Sequence, residues 1–482
     1  MEKSGKYLQY FLIIIVGTLI FLPGLFSFFN SDDFVWIKNS QELNLKTISH
    51  FIINYDSVIK FRPLVHFFFQ LIFGIFGLTP LCYHLMGLIF HLLNAILFYK
   101  LLLKFTSDNK LSLISSLIFV SHFAQEETLF WISAISSPMV TFLYLCCIWA
   151  IWKYLLENKI SFYVLSLILA GLALLAKEDS ITAFLVVFLM SYAMTTGGSR
   201  LKLKKGILLS LPFLGLSFAY SVIRYLTVPE YIMSRFLTYN PVVIIKNLCY
   251  FGISLLFPVR FLFDVIGFEV HSYLNSVVQH RLDNPWVVLV LLSISLVFVM
   301  IIISLLKRRV YSLRIGLGLI LIGILPYLLV NGNGQRFLYF SSLGFSLVLA
   351  STIIDISNKI KRFNILYAFI VIILLFNGAI MYKRSIWWRK AGEICRVVLY
   401  QAGEISRSYP GGSKIYFANL PQRMNGAYTF HTGFEEAFYL FYPEALVKVY
   451  DLGQLDEKEL KNFKNNLRQE INIYKGEGFI RF

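Results

Sequence analysis

Long runs of apolar residues recur along almost the whole chain and are separated by short polar stretches. A helix needs about 20 apolar residues to cross the hydrocarbon core of a bilayer. The pattern predicts about eleven such helices, at residues 8–28, 83–103, 111–123, 131–152, 161–176, 180–194, 207–225, 286–306, 313–330, 337–356 and 365–381. The predicted fold class is therefore an all-α polytopic membrane protein.

The connections between these segments predict how the chain is oriented. Lys and Arg cluster at residues 3–6, 100–110, 153–159, 200–205, 307–309 and 359–362. Cytoplasmic loops of membrane proteins are enriched in these cations. If the N-terminus is cytoplasmic and the spans alternate, all of these clusters fall on the cytoplasmic side and residues 383–482 fall outside. The short polar loops favour a bacterial inner membrane.

Three regions need separate interpretations. Residues 242–261 are apolar enough to span the membrane. A span there would place the cationic cluster 307–309 on the outer side, so a re-entrant or interfacial segment is expected instead. Residues 65–76 are predicted to form an amphipathic helix at the outer interface. Strand-like runs at 414–418, 446–450 and 471–474, with a helix-like run at 457–467, predict a small α/β module. The predicted domains are thus a membrane domain, 1–382, and an extracytoplasmic C-terminal domain, 383–482.

Composition agrees with a membrane environment. The chain of 482 residues is 57% hydrophobic and 15% charged, whereas soluble domains carry about 25% charged residues. The net charge of +17 is distributed over the loops, so no nucleic-acid partner is predicted. The first apolar run is long for a signal-peptide core and lacks a small-residue cleavage site, which predicts an uncleaved first span. The five cysteines show no metal-ligand spacing, and no metal site is predicted from them.

Charged residues beside the predicted spans are candidates for function, because charge at the edge of a bilayer is costly to keep. On the predicted outer face these are Asp32 and Asp33, Glu126 and Glu127, Lys177 with Glu178 and Asp179, and Arg336. A carboxylate there can act as a general base, and Lys or Arg can stabilise a phosphate leaving group. The convergence predicts a transfer reaction on that face.

Each of these groups also has a purely structural interpretation. Asp32 and Asp33 could cap a helix end, and Glu126 and Glu127 could be solvated loop charges. Lys177 could form a local ion pair with Glu178, and Arg336 could extend to lipid headgroups. His84 and His91 are predicted to be packing and hydrogen-bonding groups on one helix face. The adjacent pair Asp32-Asp33 could hold a divalent metal, although the pattern is a weak signal for one.

Several short motifs resemble the GT-C glycosyltransferases, in particular the O-mannosyltransferases whose membrane domain precedes TPR repeats and their bacterial relatives. They cover the first three-quarters of the chain in order: Asn30-Ser-Asp-Asp-Phe34, Phe61-Arg-Pro-Leu64, Tyr83-His-Leu85, His91-Leu-Leu-Asn94, Glu127-Thr-Leu-Phe-Trp-Ile-Ser133, Leu175-Ala-Lys-Glu178 and Gln335-Arg-Phe-Leu-Tyr-Phe-Ser-Ser-Leu-Gly-Phe345. The chain departs from the family at Ser121-His-Phe-Ala-Gln-Glu126, where His-Pro is usual, and at Gln335-Arg336, where Glu-Arg is usual.

The resemblance implies a hexosyltransferase of GT-C type that uses a polyprenyl-phosphate sugar on the outer face of the membrane. It assigns Asp32 as the base and Asp33 as its partner, and it places Lys177, Arg336 and Arg62 near the donor phosphate. The remaining acids, Glu126, Glu127 and Glu178, are expected to bind substrate.

Direct displacement of the phosphate predicts inversion at the anomeric carbon. No metal is required, because the leaving group carries a single phosphate. The acceptor could be a protein, a glycan or a lipid. The alternative function is a lipid-linked sugar flippase or transporter, for which matching interrupted halves of the chain would be expected.

Overall fold

The helices account for most of the chain. The computed structural model describes residues 2–41, 62–227, 237–266, 311–330, 332, 334–360, 363–454, 470–474 and 478–481. Its α-helices, in chain order, are α1 Glu2–Phe21, α2 Asp32–Gln41, α3 Pro63–Phe76, α4 Pro80–Thr106, α5 Asn109–Ser121, α6 Glu126–Phe130, α7 Ser136–Glu157, α8 Ile160–Ala176, α9 Ala183–Met194, α10 Ser199–Thr227, α11 Pro241–Leu256, α12 Val259–Ile266, α13 Tyr311–Leu328, α14 Tyr339–Ile360, α15 Phe363–Arg407 and α16 Phe434–Phe441.

The prediction of a polytopic helical membrane protein is confirmed. Within the described ranges, seven helices are long and apolar enough to cross a membrane: Tyr7–Phe26, Pro80–Thr106, Ile132–Glu157, Ser199–Leu226, Tyr311–Leu328, Gln335–Asn358 and Leu366–Arg407. Shorter helices occupy the predicted segments 111–123, 161–176 and 180–194. The predicted span 286–306, the cationic cluster 307–309 and the predicted helix 457–467 lie outside the described residues.

Local sequence sets many of the helix ends. Asp108 caps α5, since its carboxylate accepts a hydrogen bond of 3.0 Å from the Leu111 amide. Asn240 caps α11 through a 2.9 Å bond from the Val242 amide, and Pro241 follows at the first helical position, which suits proline. Residues 242–261 form two helices, α11 and α12, which are separated at Phe257 and Pro258.

Helices α13 and α14 pack unusually closely. A Cβ atom added to Gly344 would meet the carbonyl oxygen of Gly316, and one added to Gly316 would lie 2.8 Å from the carbonyl oxygen of Gly344. Small residues let helix backbones approach in this way within membranes. Helix α14 also packs on α5, which holds the start of α14 beside the segment after α5.

The C-terminal module contains the predicted strands. These are β1 Lys414–Ala418, β2 Arg423–Met424, β3 Ala427–Tyr428, β4 Lys448–Asp451, β5 Glu470–Tyr474 and β6 Phe479–Arg481. One sheet has the order β4-β1-β5-β6, and β2 pairs with β3 in a hairpin. Strands β4 and β5 run parallel to β1 on either side of it, and β6 is antiparallel to β5.

The module adjoins the helices rather than standing apart. Helix α15 continues through the predicted domain boundary at 382/383, so the division into two domains stays a prediction. Helix α16 packs on α2, and the β2–β3 hairpin packs on α15. The predicted helix at 65–76 is observed as α3, which packs on α2 and α8; its position at the outer interface stays a prediction.

Candidate active site

The chain around the start of α7 contacts the predicted site residues. We call residues 126–137 the hub segment; it contains α6 and a 3-10 turn, Ile132–Ile135. Its polar contacts pair Glu127 with Arg336, Ser133 with Asp33, Ser136 with Arg62 and Ser137 with Lys177. Residues far apart in the chain are therefore brought together at one place.

Asp33 is enclosed and fully hydrogen bonded. Its carboxylate accepts bonds from the backbone amides of Asn30, at 3.0 Å, and Ser133, at 2.7 Å, and from the Ser133 hydroxyl. Burial raises the pKa of Asp33 to about 7, although the bonds from Ser133 and Asn30 act in the opposite direction. Both oxygens face the protein, which suits a residue that holds α2 on the hub segment.

Asp32 has different surroundings from its neighbour. It is only half-buried, and its carboxylate accepts a hydrogen bond from the Thr432 hydroxyl. Its charge also acts on Arg336 and on His431, which is exposed. Of the two acids, Asp32 is therefore the one that a substrate can reach.

Glu127 is the centre of a buried ion cluster. Arg336 donates to it through its guanidinium and through its backbone amide, at 3.1 Å, while Arg260 approaches at 3.0 Å. The Tyr428 hydroxyl lies 3.4 Å from the same carboxylate. Burial alone would raise the pKa of Glu127, but Arg336 and Arg260 outweigh it and lower the pKa to about 2. The guanidinium groups of Arg336 and Arg260 thus share the Glu127 carboxylate.

Glu126 forms a second buried ion pair, with Arg384. Arg384 of α15 donates two hydrogen bonds to it, at 2.6 and 2.7 Å, and the Trp388 indole donates a third, at 3.0 Å. Glu126, Arg384 and Trp388 are all buried. The interpretation of Glu126 and Glu127 as solvated loop charges is wrong, because both are enclosed and paired.

Arg62 and Glu178 form a bidentate pair, with hydrogen bonds of 2.9 and 2.7 Å. Arg62 is buried, whereas the Glu178 side chain is 36% exposed. Burial lowers the pKa of Arg62, but the Glu178 carboxylate more than compensates and the net shift is upward. Arg62 therefore remains a fixed cation at the start of α3.

Lys177 follows α8 directly and is also buried. Its ammonium lies 2.8 Å from both the Ser137 and the Tyr327 hydroxyls and 3.2 Å from the Asp179 carboxylate. Burial lowers the pKa of Lys177, and Asp179 partly offsets that effect. The structural interpretation of Lys177 as a partner of Glu178 is wrong: Lys177 pairs with Asp179, and Glu178 pairs with Arg62.

The surroundings of Lys177 and Arg336 adjoin each other. Phe337, next to Arg336, stacks on Tyr327 with ring centroids 4.3 Å apart, and Lys177 lies over both rings. Arg336 and Asp179 line the same small cavity of about 20 Å³, which is room for roughly one water molecule. Lys177 and Arg336 are thus neighbours across a wall of aromatic rings.

His91 in α4 is a packing and hydrogen-bonding group, as the sequence suggested. The His91 ring lies 2.7 Å from the Tyr339 hydroxyl and 3.1 Å from the Val120 carbonyl oxygen, and Asn94 donates to Tyr339 at 3.1 Å. His84 is buried in the same helix. These contacts join α4, α5 and α14.

Sequence reasoning missed three residues of the site and one buried cation of α11. Arg260 pairs with Glu127 and Arg384 pairs with Glu126, and the Tyr428 hydroxyl of the C-terminal module donates to Glu127. Lys246, in α11, is buried and has no polar partner among the described residues. A search for cations inside or beside apolar segments would have found Arg260, Arg384 and Lys246, whereas Tyr428 carries no such signal.

The described fold defines a multi-pass integral membrane protein with a small C-terminal α/β module. No protein-family model matches the chain. It is similar to the human Protein O-mannosyl-transferase TMTC3, with 32% identity over 121 residues, which are 23% of this chain and 13% of that protein. The resemblance of the sequence motifs to O-mannosyltransferases is confirmed by this match, although it spans only about an eighth of the relative's length.

A solved structure also resembles the whole chain. It is ArnT from Cupriavidus metallidurans bound to undecaprenyl phosphate, and the alignment covers 98% of this chain and 93% of that one. The sequence identity is 10% and the TM-score is 0.47.

Proposed function

We propose that this protein is a membrane glycosyltransferase that moves a hexose from a polyprenyl phosphate to an acceptor hydroxyl. The observation that carries the proposal is the half-buried Asp32, whose charge acts on Arg336. Its neighbour Asp33 bonds to the hub segment, which also contacts Lys177 and Arg62. A reachable carboxylate next to several fixed cations matches a reaction that removes a proton and releases a phosphate. The O-mannosyl-transferase relative is named for an activity of the same class.

Asp32 is proposed as the general base and Asp33 as a positioning residue. A base must come within hydrogen-bond reach of the proton that it removes, and Asp32 has an accessible carboxylate whereas Asp33 is enclosed. Asp33 fixes the first turn of α2 through Ser133. The acceptor oxygen attacks the anomeric carbon while its proton passes to Asp32.

The leaving phosphate is proposed to bind beside Arg336, with Lys177 and Arg62 as neighbouring cations. Arg336 is the most exposed of the three, at 22% of its side-chain surface. Glu127 holds two guanidiniums, so Arg260 can keep this acid neutralised while Arg336 turns toward a phosphate. The bond from the anomeric carbon to the phosphate oxygen breaks, and polyprenyl phosphate leaves with the negative charge. Attack opposite that bond inverts the anomeric centre.

Glu126, Glu127 and Glu178 act on the substrate indirectly in this proposal. Each is paired with an arginine, namely Arg384, Arg336 and Arg62. Their proposed role is to hold these arginines in place. Glu178 is partly exposed, so a bound sugar would contact it before the two buried acids. The reaction side is proposed to be extracytoplasmic, with the N-terminus and the cationic loops in the cytoplasm of a bacterial cell.

The test is turnover of radiolabelled undecaprenyl-phosphate hexoses by the purified protein in proteoliposomes, with membrane extracts as acceptor. We expect label to appear on an acceptor and free undecaprenyl phosphate to accumulate. Movement of intact donor between leaflets, without release of the sugar, would contradict the proposal and favour the flippase. Heat-inactivated protein in the same liposomes gives the background.

A further inference from the structure

The C-terminal sheet has the geometry of a ligand site. The chain leaves β1 for β4 on one side and then returns to β5 on the other side of β1. In open parallel sheets, ligands bind beyond the carboxyl ends of the strands where the order reverses in this way. A pocket of about 450 Å³ lies there, lined by residues that follow β1, β4 and β5. That volume is within the usual range for small-ligand pockets, ~300–1,000 Å³.

We propose that this pocket binds a neutral sugar unit through adjacent hydroxyl groups. The proposal rests on its polar lining, which combines Asp451 with Asn419, Gln422 and Tyr474; the Asn419 amide also donates a 2.8 Å hydrogen bond to the Tyr474 carbonyl oxygen. Sugars present hydroxyl donors and acceptors together with an apolar ring face, which this combination matches.

Asp451 is the residue that best indicates the ligand. It ends β4 and is 4% exposed, and one of its carboxylate oxygens accepts a 2.9 Å bond from the Gly453 amide. Among the described residues, no hydrogen bond to its other oxygen is seen. A carboxylate at the end of the strand beside β1 binds the sugar hydroxyls of dinucleotides in related sheet topologies, by accepting from them.

The described lining residues also favour a neutral ligand over a phosphate. The loop after β1 reads Asn419-Leu-Pro-Gln-Arg423, without the glycines that let a backbone approach a pyrophosphate. No Lys or Arg is among the described residues that line the pocket. Among the described lining residues the one charged group is the Asp451 carboxylate, which disfavours an anionic ligand and favours a neutral sugar.

The pocket is connected to Asp32 by a short path. Gln454, next to the lining residue Gly453, donates a 3.0 Å hydrogen bond to the His431 carbonyl, and the adjacent Thr432 donates to Asp32. We therefore assign the pocket as a subsite for a glycan acceptor, an assignment that rests on the proposed transferase activity. The sugar-binding property itself does not depend on that activity.

The test is ligand-observed NMR on the full-length protein in nanodiscs. The probes are methyl α-mannopyranoside, methyl α-glucopyranoside and the fully O-methylated mannoside, which lacks hydroxyl donors. We expect saturable binding of at least one free methyl glycoside and none of the methylated one. Asp451→Asn should weaken binding by at least about tenfold, the factor expected for one lost bond to a charged group.

Glu444→Gln is the matched control, because it removes an exposed carboxylate of the same module and should leave binding unchanged. Thermal unfolding of each variant verifies that the module stays folded. No saturable binding by the wild type, or equal binding by Asp451→Asn, would overturn the proposal. Asp451-dependent binding in a protein that transfers no sugar would support the pocket while it overturned the proposed transferase function and the acceptor role.

Discussion

Asp32 and Asp33 are adjacent in the chain, yet their surroundings give them different tasks. Asp33 accepts three hydrogen bonds from Asn30 and Ser133 and is buried, whereas Asp32 accepts a hydrogen bond from Thr432 and stays half-buried. The sequence predicts an acidic pair after the first span. It cannot predict which acid is enclosed, because that depends on a hub segment about 100 residues away in the chain.

The pH dependence of activity should report on Asp33. Its pKa is raised to about 7, so the carboxylate becomes protonated as the pH falls through that value and loses one of its accepted bonds. We expect wild-type turnover to decline below about pH 7 and Asp33→Asn to be slower but without that decline. An unchanged acid limb in Asp33→Asn would assign the titration to another group.

Glu127 should contribute to stability in a defined pH range. Its pKa is depressed from 4.5 to about 2, so its contribution is present above about pH 4.5 and is lost as the pH falls toward 2. Breaking a buried ion pair costs about 3–5 kcal/mol. We expect Glu127→Gln to lower the Tm at pH 7 and the difference from wild type to shrink below pH 4.5.

Glu157→Gln provides the comparison, since Glu157 pairs with Lys153 and Lys159 on the surface and such pairs contribute little. Equal losses of Tm in the two variants, or a gap for Glu127→Gln that does not narrow in acid, would show that the buried cluster does not stabilise the fold.

At the scale of elements, helix α15 links the membrane helices to the C-terminal module. It carries Arg384 and Trp388, which hold Glu126, and it runs beside the segment that precedes α2. The length of the apolar run predicted the first part of this helix, residues 365–381. The more polar residues that follow did not indicate that the helix continues to Arg407. The pairing of its Arg384 across 258 residues is a tertiary feature that no local pattern encodes.

Two glycines of α15 allow a direct test of this packing. A Cβ atom at Gly392 would lie 2.7 Å from the backbone nitrogen of Phe28, whereas one at Gly378 has nothing within 4 Å. Gly392→Ala must displace Phe28, four residues before Asp32, and overpacking of this kind costs about 1–3 kcal/mol. Gly378→Ala should gain up to about 1 kcal/mol from helix propensity.

We therefore expect Gly392→Ala to lower the Tm and the rate of transfer, and Gly378→Ala to preserve both. The measurements are thermal unfolding in detergent and turnover in proteoliposomes. If the two alanine variants behave alike, the contact between α15 and the segment before α2 does not position the site.

For the whole molecule, the apolar pattern predicts most of the spans because the bilayer requires long apolar helices. It predicts the site less completely. The acids and Lys177 stand out as charges beside apolar runs, but the exchange of partners between Lys177, Asp179, Glu178 and Arg62 becomes visible only in three dimensions.

The predicted orientation has a simple test with single cysteines. Lys414 is exposed in the C-terminal module, and Lys204 is exposed in a predicted cytoplasmic loop. In intact cells, a membrane-impermeant maleimide should label Lys414→Cys, and it should label Lys204→Cys only after permeabilisation. Both are compared with the unsubstituted protein, whose cysteines give the background. The reverse pattern would place the proposed reaction in the cytoplasm.

The most direct test of the proposed mechanism is release of undecaprenyl phosphate from a labelled donor by Asp32→Asn. General-base catalysis contributes roughly 10²–10⁴-fold, and the variant should lose that factor while donor binding persists. Asp108→Asn, at an exposed helix cap, is the matched control and should retain the wild-type rate. Full activity in Asp32→Asn would contradict the assignment of Asp32 as the base on which the proposed mechanism depends.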